Sequence, residues 1–125
     1  MDRIRILIKE DNLLIAEDIA TCLNEIDFEV IGIAYDMEMA LDALNLHNPD
    51  AAILDVNLDG EMDGIKIGQQ INEKFHIPFI YLTSYADRAT IDQIKPTRPL
   101  GYLVKPFDTG NLLSSLEIAI LNHAQ

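Results

Sequence analysis

Short apolar runs and stretches of helical period alternate five times along this chain, and that alternation limits its fold more than any other feature. Ile4, Ile6, Leu7 and Ile8 form the first run, after which Ile15, Ile19, Cys22, Leu23 and Ile26 recur at helical spacing. Val30–Ala34 reads as a second strand. Asp36 can cap the next helix, whose inner face is Met37, Ala40, Leu41 and Leu44, and His47-Asn48-Pro49 ends it. Ala51–Leu54 is a third strand, and a loop over Asn57–Asp63 leads into a helix over Gly64–Phe75 that buries Ile67, Gly68, Ile71 and Phe75. Phe79–Thr83 follows, with Pro78 confined to its start as a sheet requires. Tyr85–Ile94 predicts a helix with a thin apolar face of Ala86, Ala89 and Ile94, ended or kinked by Pro96 and Pro99. Leu100–Val104 is the fifth strand. Asp108 then caps a helix packing through Leu112, Leu113, Leu116, Ala119 and Ile120.

Strands that alternate with helices give a parallel sheet covered on both faces, because each right-handed crossover lays its helix on the sheet. The expected architecture is therefore α/β: a single-domain, doubly wound, flavodoxin-like (βα)5 sheet. Pattern alone does not set the strand order. The order 2-1-3-4-5 is expected because it brings the first and third strands together. One domain spanning residues 1–125 is expected, with no effector domain in this chain.

Charge narrows the function. The net charge is −12, and residues 10 to 65 hold fifteen acids with no lysine or arginine. Such a field repels nucleic-acid phosphates and anionic membranes, so direct binding to either is not expected. No apolar run approaches the roughly 18 residues of a membrane span, and a cytoplasmic location is the expectation. Cys22 is the single cysteine and falls on an apolar helical stripe, where a buried small hydrophobe is expected. His47, His76 and His123 lie far apart at element ends, without zinc-type spacing.

The chemistry-bearing residues stand where apolar runs stop: Glu10-Asp11, Asp55, Thr83-Ser84 and Lys105-Pro106. Open parallel sheets bind ligands beyond the carboxyl ends of their strands, so all of these are expected at one crevice. Three carboxylates there suit a small hard cation, Mg²⁺ or Mn²⁺, which takes oxygen ligands and keeps waters. Asp11 and Asp55 could share it, with Glu10 holding a metal-bound water. Asp55, kept ionised, is a nucleophile able to form an acyl phosphate. Lys105 and the Thr83 hydroxyl would neutralise the phosphoryl oxygens. Each residue alone says little; together, at the ends of four different strands, they are selective.

Over essentially its whole length the chain resembles the receiver domain of two-component response regulators, in the style of the chemotaxis receiver. The resembling stretches are Lys9-Glu10-Asp11, Ile53-Leu54-Asp55-Val56-Asn57, Met62-Asp63-Gly64-Ile65, Leu82-Thr83-Ser84 and Gly101-Tyr102-Leu103-Val104-Lys105-Pro106-Phe107. The resemblance implies that a sensor histidine kinase or histidine phosphotransfer protein donates a phosphoryl group to Asp55. It assigns the metal to Asp11, Asp55 and the backbone carbonyl of Asn57, with Glu10 indirect. Thr83 becomes the switch hydroxyl, Tyr102 the rotating aromatic, Lys105 the phosphate partner, and Lys105–Pro106 a cis bond. The switched output surface is the fourth helix, fifth strand and fifth helix, with a homodimer on phosphorylation as one outcome. Leu13, Leu14 and Ile15, with Pro106 and Phe107, are the expected kinase-docking surface.

Four features depart from the family's usual pattern. Glu10 stands where aspartate is more usual, and the loop after Asp55 is one residue longer, with Asp59 replacing a frequent proline. Pro96 is unusual near the fourth helix, and Tyr85 could shield an acyl phosphate from water. Three other function classes compete. An aspartyl-phosphate phosphatase of the haloacid dehalogenase type needs a second aspartate where this chain has Asn57. A flavodoxin needs a hydroxyl- and glycine-rich loop where Glu10-Asp11-Asn12-Leu13 would repel phosphate. A receiver-like interaction module that never sees phosphate would have no use for the intact acid set. The expected protein is a self-catalysed phosphoacceptor, not a metabolic enzyme.

Overall fold

In the computed structural model, which describes residues 3–56, 63–84 and 88–123, five parallel strands form one sheet in the order β2-β1-β3-β4-β5. The strands are β1 (Ile4–Lys9), β2 (Phe28–Ala34), β3 (Ala51–Val56), β4 (Phe79–Thr83) and β5 (Tyr102–Val104). The helices between them are α1 (Leu13–Asn24), α2 (Met37–His47), α3 (Asp63–Gln70), α4 (Arg88–Ile94) and α5 (Thr109–His123). The flavodoxin-like class and the strand order are as expected. No helix among the described residues is long and apolar enough to cross a membrane.

Side-chain alternation along the strands sorts the core into two layers, because successive strand residues point to opposite faces. Leu7, Leu54, Val56 and Tyr81 pack with α2, α3 and Ile94 of α4. Ile6, Ile8, Ile53, Ile80 and Leu82 pack with α1 and α5 through Ile19, Leu23, Leu112 and Leu116. The central strands β3 and β4 are buried throughout, which is why they read as continuous apolar runs.

Helix ends follow local chemistry. Asn12 caps α1 by accepting from the Ile15 amide, and Asp36 caps α2 by accepting from that of Met39. Asn48, His76 and Arg98 close their helical segments in the left-handed conformation.

Several expected details differ. The third strand runs through Asp55 to Val56, so the acid sits inside the ladder opposite Leu82 and not beyond it. Helix α1 stops at Asn24, leaving Ile26 41% exposed, while Ala16 takes the buried place. Cys22 is only half-buried. The helix expected over Gly64–Phe75 is α3 followed by a π-helical turn over Ile71–Phe75.

On α4 the buried residues are Thr90 and Ile94, whereas Ala89 is exposed, since two alanines offer too little apolar surface to set a helix's rotation. Pro96 lacks the amide a further α-turn needs, and the chain tightens into a 3-10 turn over Lys95–Thr97. The fifth strand is shorter than expected, and Leu100 is left exposed. The Asn57–Met62 part of the expected loop, with Asp59, and the helical residues expected at Tyr85 and Ala86 lie outside the described residues.

Candidate functional site

Strand register brings the site together. Lys9 pairs with Leu54, so the next residues along, Glu10 and Asp55, stand side by side at the carboxyl edge. Asp55 pairs with Leu82, and Leu82 with Leu103, two residues before Lys105. Parity decides the face. Glu10 continues the Ile6–Ile8 series, Asp55 the Ala51–Ile53 series and Lys105 follows Leu103, all members of the α1/α5 layer. Thr83 follows Tyr81 on the opposite layer. The backbone ladders continue into the crevice, with Glu10 N–H donating to Ala34 O at 3.0 Å and Lys105 N–H to Thr83 O at 2.7 Å.

The Lys105 ammonium donates to Glu10 Oε1 at 2.6 Å and to Asp55 Oδ1 at 2.8 Å. Glu10 is fully buried, and its other oxygen accepts the Asn12 amide at 3.1 Å, from the residue that caps α1. One oxygen each from Glu10, Asp11 and Asp55 lies within 4.8 Å of the others. Glu10 also makes a contact that the sequence did not suggest: its longer arm reaches the lysine directly.

Electrostatics follow from burial and pairing. Burial pushes the Glu10 carboxyl up, against the lowering pull of its bond from Lys105. The side-chain hydrogen bond shared with Glu10 is the main cause holding Asp11 down. Burial works to lower the Lys105 ammonium, but its bonds to Asp55 and Glu10 outweigh that and leave it raised. Fully ionised, the three carboxylates would exceed the Lys105 ammonium by two negative charges. A divalent cation would neutralise that surplus, so these residues fit one chemically.

Thr83 is buried, while Tyr102 is 43% exposed. Tyr102 pairs with Tyr81 and Val104 with Thr83, so the two expected switch residues share a face of adjacent strands, offset by two positions. Lys105–Pro106 is a cis bond as expected. Asn57, the expected carbonyl ligand, and Tyr85 lie outside the described residues.

Of the five expected docking residues, Ile15, Pro106 and Phe107 line one cavity, and Leu13 and Leu14 do not. Leu13 and Leu14 are exposed, the latter at 74%, and Ile15 is half-buried. A cavity of about 420 Å³ lies between Ile15, Asp18 and Ile19 of α1 and Lys105, Pro106, Phe107 and Thr109.

Sequence reasoning gave no role to Gly64. A Cβ there would overlap the Asp55 carbonyl oxygen and stand 3.0 Å from its carbon and 3.5 Å from Val56 Cα. Glycine is what lets α3 begin against the backbone of the central acid. The Met62-Asp63-Gly64-Ile65 motif was the available signal.

Comparison with known proteins agrees with this geometry. The family model for the response regulator receiver domain matches residues 6–117. The transcriptional regulatory protein PdtaR of Mycobacterium tuberculosis is 35% identical over 116 residues, covering 93% of this chain and 56% of that protein. The sensory transduction protein LytT of Bacillus subtilis is 30% identical over 115 residues, covering 91% of this chain and 47% of that protein. This chain thus spans about half the length of these curated relatives. Among solved structures, the signal receiver domain of a modulated diguanylate cyclase from Desulfovibrio desulfuricans superposes with a TM-score of 0.88 at 31% identity, covering 98% of both chains. A CheY-like receiver domain protein from Methanospirillum hungatei has the same fold, with a TM-score of 0.86 at 20% identity over 98% of this chain and 97% of that one. With its acid triad, lysine and buried threonine at the carboxyl edge of a 2-1-3-4-5 sheet, the chain belongs to the response regulator receiver domain family.

Proposed function

We propose that the chain accepts a phosphoryl group on Asp55 from a histidine-bearing donor and changes an output surface in response. The observation that carries this is the Lys105 ammonium, held at 2.6 and 2.8 Å between a buried glutamate and Asp55. A carboxylate oxygen of Asp55 attacks phosphorus, the bond to the donor imidazole nitrogen breaks, and the imidazole leaves with the electron pair. The product is an acyl phosphate, and no residue of this chain is consumed beyond Asp55. Lys105 takes charge from one phosphoryl oxygen as a point cation, and the Thr83 hydroxyl serves another. Asp11 and Asp55 would hold Mg²⁺ (or Mn²⁺), with Glu10 beside them and the Asn57 carbonyl as a further ligand. When bound, the ion supplies charge neutralisation. The domain turns over no metabolite.

Donor docking uses the exposed Leu13 and Leu14 with Ile15, Pro106 and Phe107, the last three of which line the cavity beside Lys105. The donor is a sensor histidine kinase or a histidine phosphotransfer protein in the cytoplasm. Output uses α4, β5 and α5, where Tyr102, Val104, Ile118 and Leu121 are exposed apolar residues. Phosphorylation draws Thr83 inward and Tyr102 follows, shifting populations by about 1–3 kcal/mol. That face can pair two copies. The domain itself binds neither nucleic acid nor membrane.

Acetyl phosphate with Mg²⁺, read by intact mass, tests this reading. One added phosphoryl group, absent from Asp55→Asn, is expected. Failure of every phosphodonor to label the wild type would refute it and favour a phosphate-independent interaction module.

A further inference from the structure

A buried polar clamp joins β4 to the end of α4. Tyr81 has no exposed surface and Thr97 is 2% exposed. The Tyr81 hydroxyl lies 2.6 Å from Thr97 Oγ1, and Thr97 Oγ1 donates to the Ile94 carbonyl at 2.7 Å. A threonine hydroxyl has one hydrogen, already given to Ile94, so Tyr81 is the donor in their shared bond. The Asn72 side-chain amide, from the π-helical turn, donates to the Thr97 carbonyl. Three segments distant in sequence therefore meet at Thr97.

The clamp is accommodated on every side. A Cβ at Gly68 would overlap the Tyr81 hydroxyl and stand 3.2 Å from Phe79 Cε2 and 3.3 Å from Tyr81 Cζ, so glycine makes the room for it. Burial pushes the phenol up to about 12, and the group remains a donor through the neutral range. Phenylalanine would fill the same core volume without a polar group to satisfy. The hydroxyl is thus an addition that packing does not require. Elsewhere α4 is lightly held: Thr90 and Ile94 are its buried residues and Ile91 is half-buried. Arg88, Ala89, Asp92 and Gln93 face solvent, and the Arg88–Asp92 pair at 3.6 Å is exposed.

We propose that Tyr81 and Thr97 are positioning residues of the output switch, pinning the C-terminal end of α4 so that its response pivots about Ile94–Thr97. Tyr81 stands two residues before Thr83 on the same face of β4, roughly 6.6 Å along the strand. One strand thus carries both the hydroxyl that meets the phosphoryl group and the anchor of the helix that responds. A helix fixed at one end tilts; a helix free at both ends slides. The pivot rests on the phosphoacceptor reading.

Hydrogen exchange read by mass spectrometry tests it on wild type, Tyr81→Phe, Thr97→Val and Thr97→Ser, each with and without beryllofluoride and Mg²⁺. In wild type, beryllofluoride is expected to change exchange over residues 88–93 while 94–98 stay equally protected. Tyr81→Phe should open 94–98 about tenfold more often, the factor carried by one buried hydrogen bond, and Thr97→Val, which loses two, should open it more often still. In both variants the beryllofluoride response should spread across 88–98, and Thr97→Ser should restore the wild-type pattern. A merely structural role would lower protection without moving where the response falls. Residues 51–56 report binding at Asp55 independently. If they do not respond in wild type, the phosphoacceptor reading fails and the pivot falls with it. If they respond while wild-type 94–98 change as much as 88–93, or Tyr81→Phe matches wild type, the pivot alone is overturned.

Discussion

Replacing Gly64 with alanine probes how the central acid is held. The added Cβ would overlap the Asp55 carbonyl oxygen and sit 3.0 Å from its carbon, and neither atom can rotate away because both are backbone in a paired strand. Non-bonded carbons rest at about 3.5–4.0 Å, so α3 and β3 must separate by on the order of 1 Å. Overpacking of this kind costs about 1–3 kcal/mol, and a rigid backbone contact belongs at the upper end. Alanine regains up to about 1 kcal/mol through its better helix propensity. The net loss is about 2 kcal/mol, which for a domain of this size lowers Tm by roughly 8 °C. A displacement of about 1 Å at the nucleophile also costs on the order of 100-fold in rate. Thermal unfolding by circular dichroism and acetyl-phosphate labelling by intact mass measure the two effects. Gly32→Ala is the control, because a Cβ there meets only Leu7 Cδ1 at an ordinary 3.8 Å. A Gly64→Ala protein within about 2 °C of wild type, labelled at an unchanged rate, would refute the reasoning.

Three further outcomes are expected. Mg²⁺ at ten times its dissociation constant should add about 1.4 kcal/mol of stability, seen as a higher Tm that Asp55→Asn largely abolishes; equal shifts in both proteins would place the ion elsewhere. Lys105→Met should cut the labelling rate on the order of 100-fold, as loss of one preorganised charge donor does. It should also tighten Mg²⁺, since the acid triad then lacks its cation; weaker Mg²⁺ binding would contradict the charge argument. Tyr81 contributes a pH dependence whose sign follows from its upward shift: folded at about 12 against 10.0 unfolded, it stabilises fully below pH 10. That contribution, on the order of 3 kcal/mol, is lost as pH rises from 10 to 12. Because burial of the phenol is the main cause of the shift, denaturant midpoints of wild type minus Tyr81→Phe should fall across that window, and a flat difference would show that the phenol is not buried.

The elements were legible wherever local pattern and burial coincide. Asp36 as a cap, the buried runs of β1, β3 and β4, and the Leu112–Leu116 stripe of α5 each follow from a few neighbouring residues. Legibility failed where the local signal was thin. Ile26 fitted the period of α1, but the helix closes at Asn24: the Ile26 amide bonds to Leu23, three residues back, and the chain turns into β2. On α4, alanines at 86 and 89 could not specify a face, and Thr90 was buried in place of Ala89.

The candidate site divides the same way. Which residues carry the chemistry was readable from the sequence, because an acid, hydroxyl or amine ending an apolar run marks the carboxyl edge of a parallel sheet. Which of them touch was not. Glu10 and Lys105 are 95 residues apart and Asp55 and Lys105 are 50 apart, so their contacts depend on strand register and on parity summed over four strands. Only tertiary structure decided that Glu10, one methylene longer than aspartate, bridges to the lysine. It alone also revealed that Gly64 and Gly68 are the gaps into which the Asp55 backbone and the Tyr81 hydroxyl fit. Periodicity is a property of neighbours along the chain; close approach is a property of segments that meet after folding.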